Sequence, residues 1–292
     1  NILNIIKKKV SSKTKAIIYQ HSFGKHDDIS EIKNFCKIKN IILIEDKALC
    51  FLSKKKKLQE LQGDFAYYSF ENSKTISSRM GGMIIFSQDK KLNLIYKNNF
   101  LYNLLSDLRT FLSILTYNIK GDIGFAIRKI LVLLNILKRS IDLKDLDINY
   151  KKKNHYFNLT SFQKCLLIYQ LKKLKTKYSV CNNNIKFWSR LLPDLEIENK
   201  KDYFFYYPVR LTYNGCHSIK IKNILKNMGL NQDDWFEGGI GSRSFDKKKI
   251  NFKLQNFKYT NQFCSNYTNL PTLINLSKDF KKELKLRMYS KK

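Results

Sequence analysis

Proline is nearly absent, at three in 292 residues, and glycine is sparse at eleven. These shortages exclude collagen-like repeats and proline-rich disordered tracts. Acidic residues are outnumbered, 24 Asp and Glu against 55 Lys and Arg, for a formal charge of +31. Within that excess arginine is scarce, eight of the 55. Contacts to phosphates and base edges favour the bidentate arginine fork. A lysine-dominated excess therefore speaks to solubility and non-specific attraction, and no specific nucleic-acid partner is read from it. The runs Lys7–Lys9, Lys54–Lys57, Lys151–Lys153 and Lys247–Lys249 fall between periodic segments, where solvated loops are expected. Six cysteines (Cys36, Cys50, Cys165, Cys181, Cys216, Cys264) show no CxxC or Cys/His spacing. Neither a zinc site nor a disulfide frame is signalled, and a reducing cytoplasm is the plain reading. No uncharged apolar run approaches the roughly 20 residues that span a bilayer.

With 43% hydrophobic and 13% aromatic residues the chain buries a substantial core, and its length suits one large or two ordinary domains. Lys15 to His21 (KAIIYQH) and Ile41 to Asp46 (IILIED) are continuous apolar runs of the kind that buried parallel strands show. Between them Ile29, Ile32, Phe35 and Cys36 recur at helical spacing, so residues 15–46 read as a right-handed βαβ unit. Asp64 to Phe70 and Gly82 to Ser87 read as two more strands, making this part α/β. From Leu101 to Ser140 the pattern is helical and strongly apolar, interrupted by Arg109, Lys120 and Arg128. It reads as a buried or interfacial insertion, with membrane-surface contact as one option. Asp142 to Asn154 reads as a linker, and Phe162 to Leu192 as a helical segment ended by Pro193. Beyond it come a strand at Tyr203 to Tyr213, a helix at Ser218 to Met228 stopped by Gly229, a turn at Gly238 to Gly241, and a helix at Ser277 to Met288. The domain expectation is 1–150 for an α/β part with the apolar insertion at about 101–140, 151–199 for connecting helices, and 200–292 for a small α+β domain.

Asp46 ends one strand, and Lys74 follows the next strand in Ser69-Phe70-Glu71-Asn72-Ser73-Lys74. In a parallel sheet the carboxyl ends of strands share a crevice, so the two side chains can meet over one ligand. A carboxylate facing a lysine suits pyridoxal phosphate (PLP): the amine forms a Schiff base with its aldehyde, and the carboxylate pairs with the protonated pyridine nitrogen. Ser69 is placed to give its hydroxyl to the phosphate, and Gly81-Gly82 let the backbone pass close. Spacing alone leaves open a solvated lysine and a capping aspartate.

Lys13 to Lys91 narrows the choice. KTKAIIYQHSFGKHDDISEIKNFCKIKNIILIEDKALC and, after a short gap, QGDFAYYSFENSKTISSRMGGMIIFSQDKK resemble the DegT/DnrJ/StrS-type sugar aminotransferases, PLP enzymes of the aspartate aminotransferase fold. Four pieces occur in the family's order: a "TKAII…H.(F/Y)G" strand and turn, an "(I)ED.A" strand, "GD…(Y/F)SF…K", and "GG" before an apolar strand. The tail resembles the family more weakly, at Tyr207-Pro208-Val209 and Asn269-Leu270-Pro271-Thr272. The resemblance implies a type I PLP-transferase fold, with 1–150 as the C-terminal part of a large, doubly wound, mainly parallel domain and 200–292 as the small one. It puts Lys74 on the Schiff-base lysine that also moves a proton, Asp46 on the pyridine-nitrogen partner, Ser69 on a phosphate contact, and His21 on the strand-end histidine. It implies a homodimer that transfers an amino group, usually from glutamate, to a nucleotide-linked keto sugar for polysaccharides or glycosylated metabolites.

Three departures stand against the pattern. Leu49 replaces a Gln or His, Tyr156-Phe157-Asn158 replaces an Asn-x-Arg before Thr160 and Gln163, and Arg79-Met80 replaces Gly/Ala-Glu before the glycine pair. The Gly-Thr phosphate cup and the aromatic stacker that the family carries upstream are not found before Lys13. No signal peptide is visible, and with Asn1 in place of Met the expectation is a fragment of a longer protein. The alternatives are a PLP-fold relic acting as a binding protein and a PLP-dependent sugar dehydratase. Dehydrating relatives tend to carry histidine at the lysine position, so Lys74 favours transamination. Elsewhere, Asn158-Leu159-Thr160 and Asn266-Tyr267-Thr268 read as chance glycosylation triplets and Gly238 to Gly241 as a turn. Trp188 and Trp235 read as packing residues, Cys216 and His217 as structural, and Glu45 and Asp46 as neighbours on opposite strand faces.

Overall fold

A computed structural model describes residues 2–21, 27–50, 61–71, 74–87, 99–119, 121–137, 158–191, 223–228, 256–258, 270, 272 and 274–289. The chain divides into two compact units. The first is Asn1–Thr110 with His155–Lys173 and Asp202–Tyr206; the second is Phe111–Asn154 with Leu174–Lys201 and Tyr207–Lys292.

The first unit holds a four-stranded sheet in the order β1 (Ala16–Gln20), β2 (Ile42–Asp46), β3 (Phe65–Ser69), β4 (Gly82–Phe86). β1, β2 and β3 run parallel, and β4 returns antiparallel against β3. Helix α2 (Ser30–Lys39) is the crossover between β1 and β2. It stops where Asn40 turns left-handed at φ 52° and the Ile41 N–H bonds back to the Cys36 carbonyl at 2.9 Å. Ile29, Ile32 and Cys36 from this stretch are buried with Ile41 and Leu43, forming a core under one face of the sheet.

Two expectations are corrected here. Lys7–Lys9 do not lie in a loop: they form the last turn of helix α1 (Ile2–Lys9). Leu3, Ile6 and Val10, spaced by three and four, pack against the α2 core, and lysines at the C-terminal end complement the helix dipole. The continuous apolar strands are also not buried on both faces. Leu43, Glu45, Ala66 and Tyr68 are buried on the α2 side, whereas Ile18, Ile42, Ile84 and Phe86 on the other side are exposed. A continuous apolar run does not say how many faces are covered.

The apolar insertion is helical, as expected: α3 (Phe100–Asn118) and α4 (Gly121–Leu133). The segment read as one helix over 162–192 is two, α5 (Ser161–Lys172) and α6 (Leu174–Leu191). The break falls at Lys173, whose N–H turns to the Gln170 carbonyl three residues back at 3.2 Å. In the second unit Trp188, Ile185, Cys181 and Leu191 of α6 are buried, as is Leu284 of α7 (Lys278–Tyr289). The Asn184 amide of α6 donates to the carbonyls of Thr272 (2.9 Å) and Ile274 (2.6 Å), and the Tyr289 hydroxyl donates to that of Leu191 (2.9 Å). Residues 223–227 are helical, with Leu225 buried. The expected linker at 142–154, strand at 203–213, turn at 238–241, Trp235, Cys216, His217, Asn266 and the later lysine runs lie outside the described residues.

Candidate active site

Strand parity sorts the site residues. Asp46 pairs in register with Gln20 on one side and Tyr67 on the other, and Ser69 lies two residues beyond Tyr67. Asp46, Tyr67 and Ser69 therefore share the face of the sheet opposite α2. The Ala48 N–H donates to Asp46 Oδ1 at 2.9 Å. The Tyr67 hydroxyl also bonds Asp46; burial first, then this bond and the carboxylate charge, hold the phenol well above its usual range. Lys74 lies in the turn after β3, where its N–H donates to the Glu71 carbonyl at 3.0 Å. Its side chain is half-buried. Burial pushes the ammonium below the ordinary lysine value, and the charges of Glu71 and Asp46 oppose that shift. Asp46 and Lys74 thus sense each other's charge. Ser69 Oγ accepts a long bond, 3.4 Å, from the Glu71 N–H.

The loop from Lys74 to Gly82 is held from several sides. The Ser77 N–H and C=O are both taken by the Gln170 side chain of α5, at 3.2 and 2.6 Å. The Ser77 hydroxyl and the Ser78 N–H both donate to the Phe70 carbonyl, at 3.1 Å each. Gly81 has φ +85°, and a Cβ there would meet Leu159 Cδ2 at 2.4 Å. At Gly82 a Cβ would lie 2.4 Å from the Tyr68 carbonyl oxygen, so glycine is what lets β4 close on β3.

Behind Asp46, on the α2 face, lies a cluster that sequence reading missed. Glu45 and His21 are fully buried, and Lys47 is 1% exposed. Glu45 Oε2 meets His21 Nε2 at 2.8 Å and Lys47 Nζ at 3.0 Å, while Oε1 accepts the N–H groups of Gln62 (2.7 Å) and Gly63 (2.8 Å). The Asp27 N–H donates to His21 Nδ1 at 3.3 Å, which assigns the ring proton to Nε2, facing Glu45. Burial alone would raise the Glu45 pKa; the bonds from His21 and Gly63 and the Lys47 charge outweigh it and hold the carboxyl at about 2. Tyr19 closes the rim by donating to Asp27 at 3.0 Å, and burial, then Asp27, push it up to about 12. Alternation correctly put Glu45 and Asp46 on opposite faces. The burial of Lys47 has no signal in a chain of 47 lysines.

The departures noted in the sequence take definite places. Leu49 is buried, and Met80 Sδ accepts the Ser106 hydroxyl at 3.1 Å. Thr160 and Gln163 form a reciprocal capping box at the start of α5, and the Thr160 hydroxyl donates to Asp107. Tyr156 and Phe157 lie outside the described residues. Among the described residues no three His, Cys, Asp or Glu gather as a metal site, and Cys36, Cys50, Cys165 and Cys181 are free thiols.

Comparison with known proteins bears on the same segment. Residues 3–107 match the model of the DegT/DnrJ/EryC1/StrS aminotransferase family. This stretch is a segment of that family. It contains Asp46, Ser69 and Lys74 together with the whole four-stranded sheet. A GDP-perosamine synthase of Escherichia coli O157:H7 is 40% identical over 88 residues, which are 30% of this chain and 24% of that protein. The match thus spans about a quarter of the curated relative's length. A DegT/DnrJ/EryC1/StrS aminotransferase from Brucella abortus superposes with a TM-score of 0.59 at 15% identity, covering 98% of this chain and 66% of its own. An E. coli GDP-4-keto-6-deoxy-D-mannose-3-dehydratase with bound hydrated PLP does so with 0.53 at 16%, covering 98% and 70%. The chain thus has the α/β fold of the DegT-family PLP-dependent transferases, as the resemblance implied, with a mixed rather than wholly parallel sheet among the described strands.

Proposed function

We propose that this chain serves in a PLP-dependent aminotransferase that moves an amino group, from glutamate, onto a nucleotide-linked keto sugar. The observation that carries the reading is the juxtaposition of Asp46 with the half-buried Lys74, inside the family segment and on the sheet face that also presents Tyr67 and Ser69. The likeness to a GDP-perosamine synthase favours a GDP-linked sugar.

The described residues fit the cofactor. Lys74 Nζ would hold the PLP aldehyde, Asp46 the pyridine nitrogen, and the Ser69 hydroxyl the phosphate. When bound, PLP supplies the electron sink that makes an amino acid's Cα–H acidic. Asp46 supports it by keeping a negative charge at a fixed position, oriented by the Ala48 N–H and the Tyr67 hydroxyl. Burial that disfavours the Lys74 ammonium leaves more free amine, the form that accepts and returns a proton at Nζ. The clasp by Gln170 and the Gly81 turn limit where that amine can reach.

The fold of the E. coli dehydratase supports a second reading, a sugar dehydratase. A lysine at position 74, where dehydrating relatives tend to have histidine, favours transamination. Buried Leu49, in place of a polar side chain near the cofactor hydroxyl, would weaken grip without removing the charge pair. The test is spectroscopic. Protein expressed with PLP should show a visible band that borohydride bleaches and that Lys74→Ala lacks, with glutamate exchanging the band for one at shorter wavelength. A band that survives in Lys74→Ala, or none in the parent protein, refutes the assignment.

A further inference from the structure

Helix α3 is inside out. Ser106, Thr110, Ser113 and Thr116 are buried, within an arc of about 120° at 100° per residue. Phe100, Leu101, Leu104, Leu105, Leu108, Phe111 and Leu115 are between 41% and 82% exposed, and they share an arc of about 140° on the other side. The inward face has its own satisfied chemistry. Gln163, itself buried, donates to Ser106 Oγ (3.0 Å) and Thr110 Oγ1 (3.1 Å), and the Thr110 and Thr116 hydroxyls bond back to the carbonyls of Ser106 and Leu112. Rotating the helix to hide its leucines would strand these hydroxyls and Gln163, so the apolar face is committed outward. Helix α4 has the same character: Ile123, Ile130 and Leu133 are exposed, and Gly124 is buried. Soluble surfaces rarely present contiguous apolar area on this scale without something to cover it.

The charges select the occupant. Residues 90–139 contain nine basic side chains (Lys90, Lys91, Lys97, Arg109, Lys120, Arg128, Lys129, Lys138, Arg139) and two acidic ones, Asp107 and Asp122. Asp107, the one acid of α3, accepts the Thr160 hydroxyl. A second copy of this chain would bring the same positive field to the seam, whereas an anionic bilayer complements it. Among the described residues no helix is long and apolar enough to cross a membrane, so the contact is with the lipid interface. We propose that the outward face of α3 docks on an anionic lipid surface, burying its leucines at the headgroup boundary while the flanking lysines and arginines meet the lipid charges. The inference stands apart from the catalytic reading.

Flotation of the full chain with phosphatidylcholine vesicles, with and without 30% phosphatidylglycerol (about one lipid in three), tests this at about 0.15 M salt. Binding should need the anionic lipid, and Leu104→Gln/Leu108→Gln/Phe111→Gln should weaken it roughly tenfold or more. These side chains are exposed, so the variant's thermal melt should match the parent's. Absence of vesicle binding overturns the proposal. So does equal binding by the triple variant, which would assign the attraction to lysines at large. Sedimentation velocity without lipid supplies the remaining outcome: an oligomer in the parent that dissociates in the variant would assign the face to a second copy, and it too overturns the proposal.

Discussion

Glu45→Gln removes the charge on which His21, Lys47 and the N–H groups of Gln62 and Gly63 converge. Two independent routes give the size of the loss. The carboxyl lies at about 2 in the fold against an ordinary 4.5, which corresponds to roughly 3 kcal/mol of stability at neutral pH. Leaving the fully buried Lys47 without its counter-charge costs about 3–5 kcal/mol by analogy with broken buried pairs. Either figure is a large share of a domain's total stability, about 5–15 kcal/mol. The pH dependence follows from the sign of the shift. A carboxyl held down in the fold contributes fully above its unfolded value near 4.5, and the contribution disappears as pH falls toward 2. Urea denaturation of parent and variant at pH 7 and at several points down to pH 3 should show a gap of roughly 3 kcal/mol that narrows only below about pH 4.5. Glu45→Leu combined with Lys47→Met should recover much of the loss, because it removes both charges rather than one. A gap below about 1 kcal/mol, or one that stays constant down to pH 3, would refute the claim that this carboxylate is ionised and paired in the core.

Gly82→Ala should lower stability by about 1–3 kcal/mol, because the clash is with the Tyr68 backbone oxygen, which cannot step aside. Gly81→Ala should cost about 1–2 kcal/mol through its positive φ; thermal melts that leave both variants unchanged would contradict the described turn. Gln163→Leu strands the Ser106 and Thr110 hydroxyls and opens the α5 capping box. It should cost about 2–3 kcal/mol, and hydrogen exchange should rise first at the N–H groups of Gln163 and Lys164.

Much of the sheet was legible because its signals are local. The strands at Ala16–Gln20, Ile42–Asp46, Phe65–Ser69 and Gly82–Phe86 fall within a residue or so of their apolar runs. The placing of Asp46 and Glu45 on opposite faces follows from a period of two. The legible part stops where partners are distant or composition hides the signal. Helix α1 was obscured by its three closing lysines, although Leu3, Ile6 and Val10 carried the helical spacing. The open sheet face could not be inferred, since Ile18 and Ile42 look the same in sequence whether covered or not. The inversion of α3 depends on Gln163, more than fifty residues away in the chain. The charge pair of the candidate site was readable only because motif order marked Lys74 among 47 lysines.

The hold of Gln170 on Ser77 also sets a schedule. All four strands lie within residues 16–86, but Gln170 follows Ser77 by 93 positions, and a ribosome needs roughly 5–20 s to add that many residues. During synthesis the sheet therefore has time to pair while the segment bearing Lys74 still lacks its clasp. The reactive amine acquires its final surroundings last, after the scaffold that displays it.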